Sequence, residues 1–256
     1  MAKLVDILIP NRNSHEAIQL CIESIRHYTK YPNYQIIVYD DCSDNEVDLP
    51  YLREKQKQGW LRLIEGKEHR HHGGALNVMV NEACHADLAM IMDCDIQILR
   101  DGWLIDMVDL ISADEKAIGV CNCLGIKRRG VEVWVGPFCE FWFGLLNMTA
   151  YRDGMQVDWT PTIIYDKEEM KKYSEDLDVS ILDYFVLEVG SKLYTKTIYD
   201  NPKGYYFISP IPENINKAYR HYVQIASFSM VERLDIKEYM AAQFEIIKRE
   251  LGKLRQ

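Results

Sequence analysis

Three observations predict a mixed α/β fold built on a mostly parallel sheet flanked by helices. Short apolar runs alternate with runs of helical period through the first half of the chain. Several apolar runs stop abruptly in carboxylate-bearing or amide-bearing segments, as strands do at the ligand-binding edge of an open α/β sheet. Of the 256 residues, 48% are hydrophobic, enough to bury one large core.

Residues 4–9, LVDILI, are β-rich and stop at Pro10. Asn13 and Glu16 are spaced as a capping pair for the helix that follows, where Ala17, Leu20, Cys21 and Ile25 recur at helical spacing. Residues 34–39, YQIIVY, form a second strand ending in Asp40-Asp41, and Leu61 to Ile64 a weaker third. Gly73-Gly74 opens a helix to about His85. A fourth strand, LAMIM at 88–92, ends in Asp93-Cys94-Asp95. A helix over 102–112 and a strand over 117–123 complete the regular half.

The second half is less regular. It holds an aromatic stretch at 134–143, a charged helical piece at 166–175 and a strand-like run from Lys192 to Ile198. Residues 236–256 carry Ile236, Tyr239, Met240, Phe244, Ile247 and Leu251 at helical spacing, an amphipathic C-terminal helix. It suits docking on its own domain, pairing with a second copy in a homodimer, or lying at a membrane surface; its mixed charge favours the first two.

The net charge of -9 supplies no broad basic face for nucleic acid or anionic lipid. The apolar runs fall short of the ~20 residues of a transmembrane helix, and the N-terminus does not resemble a signal peptide. The odd set of seven cysteines fits reduced thiols and a cytoplasmic location, with peripheral attachment to a membrane the variant to test.

Asp93 and Asp95, one residue apart at a strand end, can put a carboxylate oxygen on Mn²⁺ or Mg²⁺ while leaving open positions for phosphate oxygens. An isolated pair of this kind is more often two solvated loop aspartates. Its company changes the balance: Pro10, Asn11 and Asn13 follow strand one, Asp40 and Asp41 follow strand two, and the glycine-led helix starts at the same predicted edge. A carboxylate there can accept hydrogen bonds from a ribose hydroxyl or a base N–H. His69, His71 and His72 crowd the loop before Gly73; a solvated basic loop is the reading favoured there, over a diphosphate cradle at a helix N-terminus.

The run DILIPNRN…SIRHYTKYPNYQIIVYDDCSDN, followed by HGGALNVMVNEACHADLAMIMDCDIQI, resembles the family 2 glycosyltransferases of Rossmann-like GT-A fold, over about residues 4–100. The resemblance implies a single domain over 1–256. Residues 1–125 would be the nucleotide-sugar-binding half, 126–232 the acceptor side and 233–256 the C-terminal helix. It implies a nucleotide-sugar donor bound with Mn²⁺ or Mg²⁺, and a glycan, lipid-linked sugar or small molecule as acceptor, with inversion. Pro10, Asn11 and Asn13 would line the nucleotide, Asp40 or Asp41 its base or ribose, and Asp93 the ribose or donor sugar. Asp95 would be the direct metal ligand. Gly74 and Asn77 match the family's small-residue helix start, with Leu76 where a basic residue is common. His221, in RHYVQIAS, matches the histidine that completes the metal site in many relatives. Asp183, in LDYFVL, is the candidate general base, with Glu140 and Glu188 as alternatives and Trp134 a platform for a sugar ring. Two rivals remain. One is a haloacid-dehalogenase-like phosphohydrolase using Asp93 as nucleophile. The other is a non-catalytic nucleotide- or glycan-binding module of the same fold.

Overall fold

The computed structural model describes residues 2–124, 127–129, 133–135, 138–171, 185–187, 189–222 and 234–256. The chain runs β1 (Val5–Asn11), α1 (Glu16–Tyr28), β2 (Tyr34–Asp40), α2 (Asp48–Lys57), β3 (Arg62–Glu65) and α3 (His71–Leu76), which continues as π-helical turns over Asn77–Ala83. Next come β4 (Leu88–Met92), β5 (Ile96–Ile98), α4 (Trp103–Ser112), β6 (Ala117–Leu124), β7 (Lys127–Arg129), β8 (Val133–Val135), β9 (Phe138–Asn147) and α5 (Met148–Ala150). The rest is β10 (Thr162–Ile164), α6 (Lys167–Met170), β11 (Phe185–Leu187), α7 (Ser191–Tyr199), β12 (Tyr206–Ile208), α8 (Glu213–Asn216), β13 (Tyr219–His221) and α9 (Leu234–Leu254).

Seven strands form the central sheet in the order β12-β6-β9-β4-β1-β2-β3. Within it β1, β2, β3 and β4 pair in parallel, as do β6 and β12, while β9 runs antiparallel between β4 and β6. The sheet is covered on both faces, so β1 is buried at every residue; its apolar residues Val5, Ile7, Leu8 and Ile9 do not alternate with exposed ones, and the buried Asp6 is held by the His85 and Ala86 N–H groups. One face packs α1 and α4 through Ile7, Ile9, Ile22, Trp103 and Met107; the other packs α3 and the 148–159 segment through Leu8, Ile91, Leu76, Tyr151 and Trp159. A small sheet of order β10-β11-β8-β7 and the β5-β13 ribbon complete the strands.

Three sequence expectations are corrected. Lys192 to Ile198 lies in helix α7, despite its β-branched and aromatic residues: Leu193 and Thr197, four apart, are the buried pair, and the Thr197 hydroxyl donates to the Leu193 carbonyl at 2.7 Å. Tertiary packing outweighs local preference there. Asn13 does not cap α1; the Ser14 and His15 N–H groups donate instead to Asp48, from the first turn of α2. The glycine-led helix begins at His71, two residues before Gly73.

The C-terminal helix docks on α1. Ile247 and Leu251 bury against Ala17 and Leu20, and Arg255 holds Glu23 at 2.8 Å. These described apolar residues of α9 are therefore taken up within the chain, the first of the three uses its pattern allows. Among the described residues no helix is long and apolar enough to cross a membrane.

Candidate active site

The carboxyl ends of β1, β2 and β4 meet at one edge of the sheet. The parallel register sets Asn11 beside Asp40, so their polar side chains converge. Asn11 donates to Asp40 (2.9 Å) and Asp48 (3.0 Å) and accepts from the Ser14 hydroxyl (2.5 Å). Asp40 also accepts from the Ser43 N–H (2.9 Å) and hydroxyl (2.6 Å). Asn11 and Asp40 are 2% and 1% exposed and Pro10 is buried, so these three brace the two loops from behind. Asn13 is partly exposed at a left-handed φ of 48°, tied to Asp44 and Asn45.

Asp41 faces the next loop. It accepts the Arg70 N–H at 2.7 Å and meets His69 Nδ1 at 2.6 Å. Two residues on, His72 Nε2 lies 3.3 Å from Asp93. The histidine loop, expected to be solvated, therefore spans from the Asp41 carboxylate to the Asp93 carboxylate. Sequence spacing gave no sign of this, because Asp41 and Asp93 are brought together only by the sheet. Leu76, where a basic residue is common in the family, is fully buried in the core beneath.

The glycines of that helix start have separate tasks. A methyl group on Gly73 would fall 2.5 Å from the Trp159 carbonyl oxygen; one on Gly74 would meet only the Arg70 side chain. Asn77 donates to Asp158 at 2.5 Å and accepts from the Trp159 N–H at 2.8 Å, so it anchors the 158–160 loop.

Asp93 and Asp95 sit in the turn between β4 and β5. The antiparallel pairing of β5 with β13 sets His221 across from Ile96, next to Asp95. His221 Nε2 lies 3.1 Å from Asp95 Oδ1 and 3.6 Å from Asp93 Oδ2. One ligand atom from each of the three falls within 4.8 Å of the others. The Asp95 and His221 side chains are 5% and 16% exposed against 28% for Asp93, so the first two form the inner wall and Asp93 the open lip. The approach of His221 to Asp95 is an ion pair without the alignment of a hydrogen bond, leaving a buried imidazole nitrogen aimed into the carboxylates. Two carboxylates and one imidazole make a hard oxygen-and-nitrogen donor set, which fits Mn²⁺ or Mg²⁺.

Burial alone would lower the His221 pKa, but contact with Asp95 and the charges of Asp95, Asp93 and Glu140 outweigh it and raise it above the usual imidazole value. Burial would likewise raise the Asp93 carboxyl, yet facing His72 and His221 holds it below the usual range.

Strand β9 closes the site. Its register against β6 slips in a bulge between the pairs Val120↔Leu145 and Asn122↔Glu140, while its ladder with β4 continues past Met92↔Phe143, where the Trp142 carbonyl accepts the Asp93 N–H at 2.8 Å; the Trp142 ring lies 5.4 Å from that of His221. Glu140 is 7% exposed at the start of this bulge. Asp183 and Glu188 lie outside the described residues. The backbone of Trp134 pairs with Phe185 across β8 and β11, two residues along the chain from Asp183.

The model of the family described as Glycosyl transferase family 2 matches residues 6–182. Among solved structures the chain is similar to the mannosyltransferase PcManGT from Pyrobaculum calidifontis in complex with GDP-Man and Mn²⁺. Identity is 17% and the TM-score 0.55, covering 100% of this chain and 74% of that one. It is also similar to GalNAc-T7 with UDP, GalNAc and Mn²⁺, at 14% identity and TM-score 0.50, covering 59% of this chain and 36% of that one. A curated relative, the uncharacterized protein y4gI of Sinorhizobium fredii (strain NBRC 101917 / NGR234), is 28% identical over 133 residues. That match is 48% of this chain but only 13% of the relative's length.

Proposed function

The chain belongs to glycosyl transferase family 2 and has the GT-A fold, and from that premise we propose that it transfers a sugar from a nucleoside diphosphate to an acceptor hydroxyl, with inversion, in a reaction that depends on Mn²⁺ or Mg²⁺. The observation that carries this reading is the trio of Asp93, Asp95 and His221, seated at the carboxyl edge of the sheet within reach of the Asp41 and histidine-loop side. Asp95 and His221 hold the cation and Asp93 shares it or takes a ribose or sugar hydroxyl. When bound, the cation neutralises charge gathering on the leaving diphosphate.

The chain's own groups do the rest. Asp41 accepts from the ribose or base once its bonds to His69 and Arg70 are shared with the ligand; Asn11 and Asp40 keep that loop in place. Arg12, Asn13 and the N–H groups opening α3 line the approach of the nucleotide. The acceptor oxygen attacks the anomeric carbon as the bond to the diphosphate oxygen breaks, and its proton passes to a carboxylate. Asp183 takes that proton, and Glu140, inside the bulge, binds sugar hydroxyls. The acceptor is a glycan, a lipid-linked sugar or a small molecule. A polysaccharide-building role, a cytoplasmic location with or without peripheral membrane attachment, and assembly of a homodimer through α9 remain parts of this proposal for separate tests.

A donor screen with Mn²⁺ tests the reading. Release of the nucleoside diphosphate from one nucleotide sugar is expected, with Asp183→Asn lowering turnover and sparing donor binding, and Glu140→Gln raising the KM. If Glu140→Gln abolishes turnover while Asp183→Asn does not, the base is Glu140. Binding without turnover of any donor would leave the non-catalytic module, and release of phosphate from simple phosphomonoesters would leave the phosphohydrolase.

A further inference from the structure

Cys121, Cys123 and Cys139 take no part in the chemistry above. Cys121 and Cys123 are two apart on β6 and so share a face, and the register Cys123↔Cys139 brings the third thiol from β9 onto it. The Cys123 sulfur lies 3.9 Å from that of Cys121 and 3.2 Å from that of Cys139, and all three fall within 4.8 Å of one another. Cys121 and Cys139 are fully buried, whereas Cys123 is partly exposed and opens a way in. Zinc–sulfur bonds of about 2.3 Å in a tetrahedral site set sulfur–sulfur edges of roughly 3.8 Å. The two separations bracket that edge.

We propose that these three thiols bind one thiophilic cation, zinc(II), at a site separate from the Asp93–Asp95–His221 trio. Soft sulfur selects zinc where the oxygen-and-nitrogen trio selects Mn²⁺ or Mg²⁺. On binding, each sulfur loses its proton to solvent and donates a lone pair; water at the open side of Cys123 fills the fourth position. The cation's two charges offset two of the three thiolates so formed; without it the buried Cys121 and Cys139 stay protonated thiols. A Cys123–Cys139 disulfide would use the shorter contact but leave the convergence of Cys121 without a role.

The site has a consequence for the fold. Cys121 sits in the register slip between Val120 and Asn122, and Cys139 immediately precedes Glu140. A cation there fastens β6 to β9 where the bulge begins and stiffens the strand that carries Glu140 and Trp142 to the active site.

The test uses the full chain, reduced and stripped of metal, titrated with Co²⁺ and then Zn²⁺. Thiolate-to-cobalt charge-transfer absorption reports sulfur ligation, which the carboxylate and imidazole trio cannot produce. One equivalent per chain is expected to develop that absorption and to be displaced by zinc. The signal should persist in Asp95→Ala and weaken in affinity by about 10-fold or more in Cys139→Ser and Cys123→Ser. Cys123→Ser, at the partly exposed position, keeps the result readable if the buried variant fails to fold, with circular dichroism as the check. Absence of the absorption in folded wild-type protein would overturn the proposal. So would an undiminished signal in Cys123→Ser, or a Cys123–Cys139 disulfide in unreduced protein that takes up no zinc after reduction.

Discussion

His221 reaches across the β5-β13 ribbon to 3.1 Å from Asp95, and its raised pKa makes the cation compete with a proton. Only the neutral imidazole ligates. Mn²⁺ affinity is therefore expected to fall as pH drops through the raised His221 pKa, and His221→Gln should be weaker but flatter in pH; isothermal titrations across pH 5.5 to about 8 read this directly. The metal-free protein should show the opposite trend. A raised folded-state pKa contributes stability that is full below the unfolded imidazole value and is lost as pH rises through the folded one, so metal-free wild type should lose stability over that window relative to His221→Gln. The aspartate pair and its histidine partner were legible because each stands in a recognisable run. His69 and His72 were not: their partners are 28 and 21 positions away, and a crowded basic loop reads as solvated until the strands place Asp41 and Asp93 beside it.

At the scale of elements, α3 owes its position to the missing side chain at Gly73. A Cβ there meets the Trp159 carbonyl oxygen at 2.5 Å, which cannot rotate away, so Gly73→Ala should cost ~1–3 kcal/mol in denaturant unfolding; a Cβ on Gly74 would meet the Arg70 Cβ at 2.8 Å, so Gly74→Ala should be destabilising as well. A Gly73→Ala protein as stable as wild type would contradict this packing. The docking of α9 gives a second test: Ile247→Ala should lose about 2–5 kcal/mol, the range for emptying a buried aliphatic site. The periodicity that announced α9 was strong because one face alone is apolar. The strand-like Lys192–Ile198 misled for the converse reason: only Leu193 and Thr197 of that run are buried, so intrinsic preference said little about the helix that tertiary packing imposes. The β9 bulge was equally hidden, since three extra residues opposite β6 leave no mark in a run already rich in aromatics.

For the whole molecule, the alternation of strands and helices with carboxylates at the strand ends was enough to predict the parallel half and the edge where those carboxylates gather. The antiparallel placement of β9 and the second sheet depend on long-range pairing that no local window contains. With a net charge of -9, the proposed diphosphate would have to be held by the local site rather than by the overall field. If the trio holds a cation only in the folded state, as proposed, Mn²⁺ at 100 times its Kd should raise stability by about 2.7 kcal/mol, and chelator should remove the gain. A thermal melt unchanged by Mn²⁺ would count against the trio as a metal site.

The central claim is a cation-dependent nucleotide site in which Asp95 is an inner ligand. Calorimetric titration of UDP, GDP, CDP and dTDP into the protein, with Mn²⁺, with chelator and with Asp95→Ala, tests it most directly. Binding of one diphosphate only with Mn²⁺, weakened about 100-fold or more in Asp95→Ala, is the predicted result. Binding that is equally tight in chelator, or undiminished in Asp95→Ala, would contradict it.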